Sequence, residues 1–152
     1  MADWVGVARS NYFAVNDERS FLEWAKKRNL RVMKRPAQGR RFADNSRAFT
    51  QFAVESEDEG GPWPSFEEDQ NLLEDGGMPR EIDIQTELAQ HLKEGEIAVL
   101  MEVGAEGAKY LSGTAYAVDH RGTVIRISLR DIYSRAAEVF GVSADQISEC
   151  SY

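Results

Sequence analysis

Apolar residues recur along this chain in two rhythms, one helical and one alternating, and the changes between them mark out its elements. Tyr12 to Val15 is a short apolar run that reads as a strand. Asn16 or Asp17 then supplies a capping oxygen, and Phe21, Trp24, Ala25 and Arg28 follow at helical spacing. Lys26, Lys27 and Arg28 place cations where the helix dipole favours them. "LRVMK" alternates apolar and basic, as a half-buried strand does. A loop rich in turn formers (Pro36, Gly39, Asp44, Asn45, Ser46) leads to the next strand, "AFTQFAVES".

"REIDIQTELAQHLKEGE" predicts a second helix. Asp83 is its cap, Ile84, Leu88 and Leu92 lie on one face, and Gly95 is its stop. Three strands follow, "IAVLMEV", "KYLSGTAYAVD" and "TVIRIS", the last two joined by the turn "DHRG". Ser128 with Asp131 resembles a capping box for the helix "LRDIYSRAAEVF", which Gly141 ends, and Ser143 with Gln146 repeats that start signal. Sequential strands joined by short turns predict an α+β fold: a mainly antiparallel sheet with about three helices packed on one face. At 152 residues the chain is one domain, residues 1–152, with a long acidic excursion from the sheet at about 55–80.

That excursion changes the picture. "ESEDEGGPWPSFEEDQNLLEDGG", Glu55 to Gly77, holds nine carboxylates and no Lys, Arg or His. Residues 1–54 sum to +6, residues 55–87 to −11 and residues 88–152 to −3, for a net charge of −8. The expected consequence is an acidic face built mainly from residues 55–87, with the cations of the N-terminal third, among them Arg31, Lys34, Arg40 and Arg41, largely elsewhere. Such a face repels nucleic acid and membrane surfaces and attracts basic ones. Direct nucleic-acid binding and membrane association are therefore not expected. Neutralisation of the acids within the molecule or in a homo-oligomer is the plainer reading, and acidity serving solubility alone is plainer still.

Little else in the sequence carries chemistry. His91 and His120 have no partner at metal-ligand spacing, and the lone cysteine, Cys150, cannot complete a thiolate site or an internal disulfide. No catalytic residue, metal or cofactor is expected. "GAEGAKY" lacks phosphate-loop spacing and reads as a strand-to-strand turn, and the acidic segment lacks an EF-hand pattern. The N-terminus has no signal-peptide pattern and no apolar run is long enough for a bilayer, so a cytoplasmic setting is expected.

"RSNYFAVND" with "FLEWA", together with "HLKEGEIAVLMEVGAEGAKYLSGTAYAVDHRG" and "ISLRDIY", resembles a set of small acidic proteins of unassigned function encoded by bacteriophages, plasmids and integrative elements. The resemblance implies a mobile-element setting and, by association, an inhibitor of host defence of the anti-CRISPR or anti-restriction kind. It brings no catalytic residues. The first functional expectation is thus a non-enzymatic interaction protein that blocks a basic, nucleic-acid-binding surface of a defence complex. Glu55, Glu57, Asp58, Glu59, Glu67, Glu68, Asp69, Glu74 and Asp75 would present carboxylates, and Trp63 and Phe66 would anchor beside them. The alternatives are a ligand-binding protein or enzyme with a pocket between the sheet and the acidic loop, using Tyr110, Tyr116, His91 or the arginines at 40, 41 and 47, and an accessory protein of a mobile element.

Overall fold

The computed structural model of the chain describes residues 4–36, 50–57, 61–67, 76–107 and 110–150. It is an α+β fold on a six-stranded antiparallel sheet. In chain order the elements are β1 (Trp4–Ser10), α1 (Glu18–Lys27), β2 (Leu30–Pro36), β3 (Thr50–Ser56), the short β4 (Phe66–Glu67) and β5 (Arg80–Glu81), α2 (Ile84–Ala89), β6 (Ile97–Glu106), β7 (Tyr110–Asp119), β8 (Val124–Ser128), α3 (Asp131–Phe140) and a 3₁₀ turn, Ala144–Gln146. The strands lie in the order β2-β3-β1-β6-β7-β8, and β4 pairs with β5 separately.

Most capping signals operate as expected, but α3 begins at Asp131 with Arg130 as N-cap and no side-chain cap, so of the Ser128–Asp131 box only the Ser128 N–H donating to Asp131 at 2.6 Å is present. Asp17 accepts from the Ser20 N–H at 2.7 Å, and Asp83 accepts from the Thr86 N–H at 3.0 Å. Gly141 closes α3 in the left-handed conformation with φ 67°. Ser143 and Gln146 make their reciprocal box around the 3₁₀ turn.

Two elements differ from the expectation. The first strand is Trp4–Ser10, whereas the Tyr12–Val15 stretch makes only isolated bridges, Phe13 to Phe52 and Val15 to Leu92. β1 carries the apolar run Val5–Ala8, and polar residues enter only at Arg9 and Ser10, so a period-2 alternation of apolar and polar residues is missing from most of the strand. The second helix also stops early, at Ala89. There Lys93 N–H donates to Ala14 and Asn16 N–H donates to His91, drawing the backbone out of the helical pattern so that Leu92 enters the core.

That core lies on one face of the sheet. Phe13, Phe52, Val54, Ala98, Leu100 and Val118 meet Phe21, Trp24 and Ala25 of α1 and Ile84, Leu88 and Leu92 of the α2 region. Phe21 is its centre, with ring centroids 5.8 Å from Phe13, 5.2 Å from Phe52 and 5.9 Å from Trp24. α3 is different in kind: none of its residues is buried.

Candidate interaction surfaces

Three places in the described structure are candidates for function: the acidic segment, a groove beside it, and the face of the sheet opposite the core.

The acidic segment is tied to the body at its aromatic turn. Trp63 is 6% exposed and belongs to the core cluster, and its backbone N–H donates to Glu102 on β6 at 2.8 Å. Two residues of the segment are paired with N-terminal cations. Glu55 meets Arg31 at 2.8 Å and Arg9 at 3.4 Å, while Glu67 meets Lys27 at 3.3 Å and Arg28 at 3.4 Å. Glu87, just downstream, takes Arg28 in a two-pronged pair, Nε and Nη2 each at 2.7 Å, and also accepts from the Trp24 indole at 2.8 Å.

The expected segregation of charge therefore does not hold where both partners are described. Antiparallel pairing sets Arg9 and Arg31 directly opposite Glu55, and the end of α1 delivers Lys27 and Arg28 to Glu67. Lys34 pairs with Glu18 instead. Of the expected partner-binding residues, Glu57 and Phe66 are at the surface, Phe66 being 59% exposed, and Trp63 is buried. Asp58, Glu59, Glu68, Asp69, Glu74 and Asp75 lie outside the described residues, as do the arginines at 40, 41 and 47.

The shifted titratable groups follow from this wiring. Burial pushes Glu87 up, but hydrogen bonds from Arg28 and Trp24 and the charges of Arg28 and Lys27 win and hold it below the ordinary carboxylate range. Glu67 is held down first by its hydrogen bond from Lys27, against desolvation and with Arg28 assisting. His91 is lowered by burial, which outweighs the charges of Glu87 and Asp17; its ring lies 5.3 Å from Trp24 and 6.2 Å from Phe21.

That lowering makes a prediction. Between the histidine value of 6.5 and its lower folded value, the unfolded chain binds the extra proton and the folded chain does not. Stability should therefore fall on acidification below about pH 6.5, before the carboxylates titrate. His91→Gln should flatten that part of a melting-temperature profile. An unchanged slope in the variant would show that His91 is not its source.

The groove beside the segment, about 780 Å³, runs between Pro62–Ser65, the start of α2 and the sheet residues Glu102, Thr114 and Tyr116. Trp63 lines it, and its indole Nε1 is buried with no hydrogen-bond partner among the described residues. Of the pocket residues expected from the sequence, Tyr116 lines this groove, Tyr110 lines a different one, and His91 packs against the aromatic core. Among the described residues, no three His, Cys, Asp or Glu side chains are grouped as a metal ligand set, and no helix is long and apolar enough to cross a membrane.

The opposite face of the sheet was not singled out by sequence reasoning. Directly paired residues share a face, and here they form apolar rows: Val5–Ala105–Leu111, Val7–Val103–Gly113, Met101–Ala115–Ile127 and Val99–Ala117–Ile125. Beyond Met101 its row continues through Arg9 to Glu55 and Arg31, and Asp119 stands opposite Ile97 at the end of the same face. Val7 is 51%, Val103 55% and Ile127 64% exposed. Leu129 lies over Gly113, where an added Cβ would come within 2.8 Å of it. From there the chain enters α3, whose Ile132, Ala136, Val139 and Phe140 form a helical stripe, with Ile132, Val139 and Phe140 exposed. Sheet face and helix meet in a mainly apolar groove of about 680 Å³ lined by Tyr110, Leu111, Ile127, Leu129, Ile132 and Tyr133, with the charged Arg130, Asp131, Arg135 and Glu149 also in its lining. The signal in the sequence was the apolar runs Val5–Ala8 in β1 and Ile97–Met101 in β6, which mark strand segments apolar on both faces.

Comparison of the chain with known protein families, with curated proteins and with solved structures finds no match.

Proposed function

We propose that this chain is a non-enzymatic interaction protein, with an apolar outer face that makes a protein contact and a surplus of acids that addresses a basic partner. The exposed apolar rows of β1, β6, β7 and β8 carry this reading, because large contiguous apolar surface on a folded chain marks an interaction site. The shifted acids and histidine have structural explanations in ion pairs, caps, turns or ring packing.

The class of partner is read from charge. A net charge of −8 disfavours nucleic acid and anionic membranes and favours a surface rich in Lys and Arg. The nucleic-acid-binding surface of a bacterial defence complex, of the kind anti-CRISPR and anti-restriction proteins block, has that character. Glu55 and Glu67 are engaged inside the molecule, so the acids proposed to face the partner are Glu57, Asp58, Glu59, Glu68, Asp69, Glu74 and Asp75.

The test is competition with nucleic acid for purified CRISPR effector complexes and restriction enzymes across a salt series. Exposed ion pairs contribute about 0–1 kcal/mol each. Reversing Glu57, Glu68 and Asp69 together to Lys removes three and adds repulsion, so affinity should fall by about 3 kcal/mol, roughly a hundredfold, at low salt. Screening should weaken wild-type binding as salt rises. A folded triple variant that competes like wild type at low salt would end the basic-partner reading.

The buried, unpartnered Trp63 indole favours one second reading, a small ligand with a hydrogen-bond acceptor seated in the groove against Glu102 and Tyr116. Saturable quenching of tryptophan fluorescence by such a ligand, abolished in Trp63→Phe, would support it.

A further inference from the structure

We infer that the outer sheet face and α3 form the interface of a homodimer, each copy covering the other's apolar rows. This takes the face as an interaction surface, as proposed above, and names its occupant.

Area is the first argument. A fully exposed aliphatic side chain presents roughly 100 Å² of apolar surface. Weighted by their exposures, the side chains of the sheet rows, with Leu129 and the α3 stripe, present roughly 700 Å². The largest apolar patch on a typical monomer is about 300–600 Å². A standard stable interface takes about 800 Å² from each partner.

The second argument is complementarity of a surface with itself. An amphipathic helix ordinarily turns its apolar stripe toward a core. Among the described residues, Ile132, Val139 and Phe140 of α3 meet no buried core, and no helix packs on the adjacent sheet rows. The described residues thus present two apolar surfaces side by side, joined by the groove at Leu129. A two-fold axis through that region sets the same patch of one copy on the same patch of the other, which is the isologous arrangement most homo-oligomers use.

Charge is the third. Two copies of a chain with net charge −8 repel one another over most of their surfaces. The apolar rows are where that repulsion is least: the carboxylates on this face stand at its margins, Glu55 balanced by Arg9 and Arg31, and Asp119 opposite Ile97. Depletion of charge at the centre with charged residues at the rim is the anatomy of a protein interface. The dimer leaves the aromatic turn at Trp63, on the other side of the sheet, uncovered.

The experiment is sedimentation equilibrium of the intact chain over a wide dilution series, with Val103→Lys and Ile127→Lys as variants. Both positions are exposed in the protomer, so the substitutions leave its core untouched. Wild type should have twice the chain mass of 17.1 kDa and dissociate on dilution. Each variant should sediment at the single-chain mass with unchanged circular dichroism, while Glu23→Lys on the exposed side of α1 should remain dimeric. Wild type at the single-chain mass throughout, a larger assembly, or folded variants that still dimerise would each overturn the inference. Should a variant fail to fold, the wild-type mass decides alone. A monomeric wild type that still competes with nucleic acid overturns the dimer and keeps the interaction reading. A dimer that competes with nothing overturns the basic-partner reading and keeps the dimer.

Discussion

Replacing Glu87 by alanine is expected to lower the unfolding free energy at neutral pH by about 3 kcal/mol, the lower end of the range for breaking a buried ion pair from one side, because Arg28 is buried but Glu87 is 28% exposed. Arg28 is only 7% exposed, and both oxygens of Glu87 hold it at 2.7 Å. Without them, its remaining anionic contact among the described residues is Glu67, at an ion-pair distance of 3.4 Å. The Trp24 indole N–H also loses its acceptor inside the core. Glu87→Gln should cost less, because an amide oxygen still accepts from Trp24 or Arg28. The folded pKa of Glu87 is depressed, so its contribution is present above the ordinary value of 4.5 and is lost as pH falls through the folded value. Urea denaturation at neutral and acidic pH measures both effects. An alanine variant with the wild-type midpoint at neutral pH would show that the pair does not hold α1 to α2 in solution.

Trp63→Ala is expected to cost about 3 kcal/mol, the lower end for a buried aromatic, because the orphaned indole N–H already subtracts from what the ring contributes. Trp63→Phe removes that N–H, keeps most of the apolar area and should change stability by less than about 1 kcal/mol. Phe66→Ala, three residues on and exposed, should stay within about 0.5 kcal/mol. The three urea midpoints together separate structural anchoring from surface contact. If Phe66→Ala proved the costlier change, Trp63 would not be the residue that fixes the acidic turn. If Phe66→Ala weakened competition with nucleic acid at unchanged stability, Phe66 would be a partner contact, and Trp63 would act on binding only through the shape of the turn.

Local chemistry is legible in this sequence wherever a residue acts on its own neighbours. Asp17, Asp83 and Gly141 cap or close the helices they border, and Phe21, Trp24 and Leu88 enter the core that their helical spacing predicts. The α+β class and the antiparallel run from β6 to β8 follow from short turns between apolar segments. Relations between distant residues were decided only in three dimensions. The count of −11 over residues 55–87 is a property of the sequence, yet strand pairing brings Arg9 and Arg31 to Glu55, and α1 brings Arg28 to Glu67 and Glu87. Trp63 lies in a polar, turn-rich stretch, and its burial depends on the groove that the sheet and the α2 region leave for it. The apolar runs of β1 and β6 state that these strand segments have two apolar faces. Which face α1 and α2 cover, and which they leave exposed, was decided by tertiary structure, because two helices of this length cover one side of a six-stranded sheet and not both.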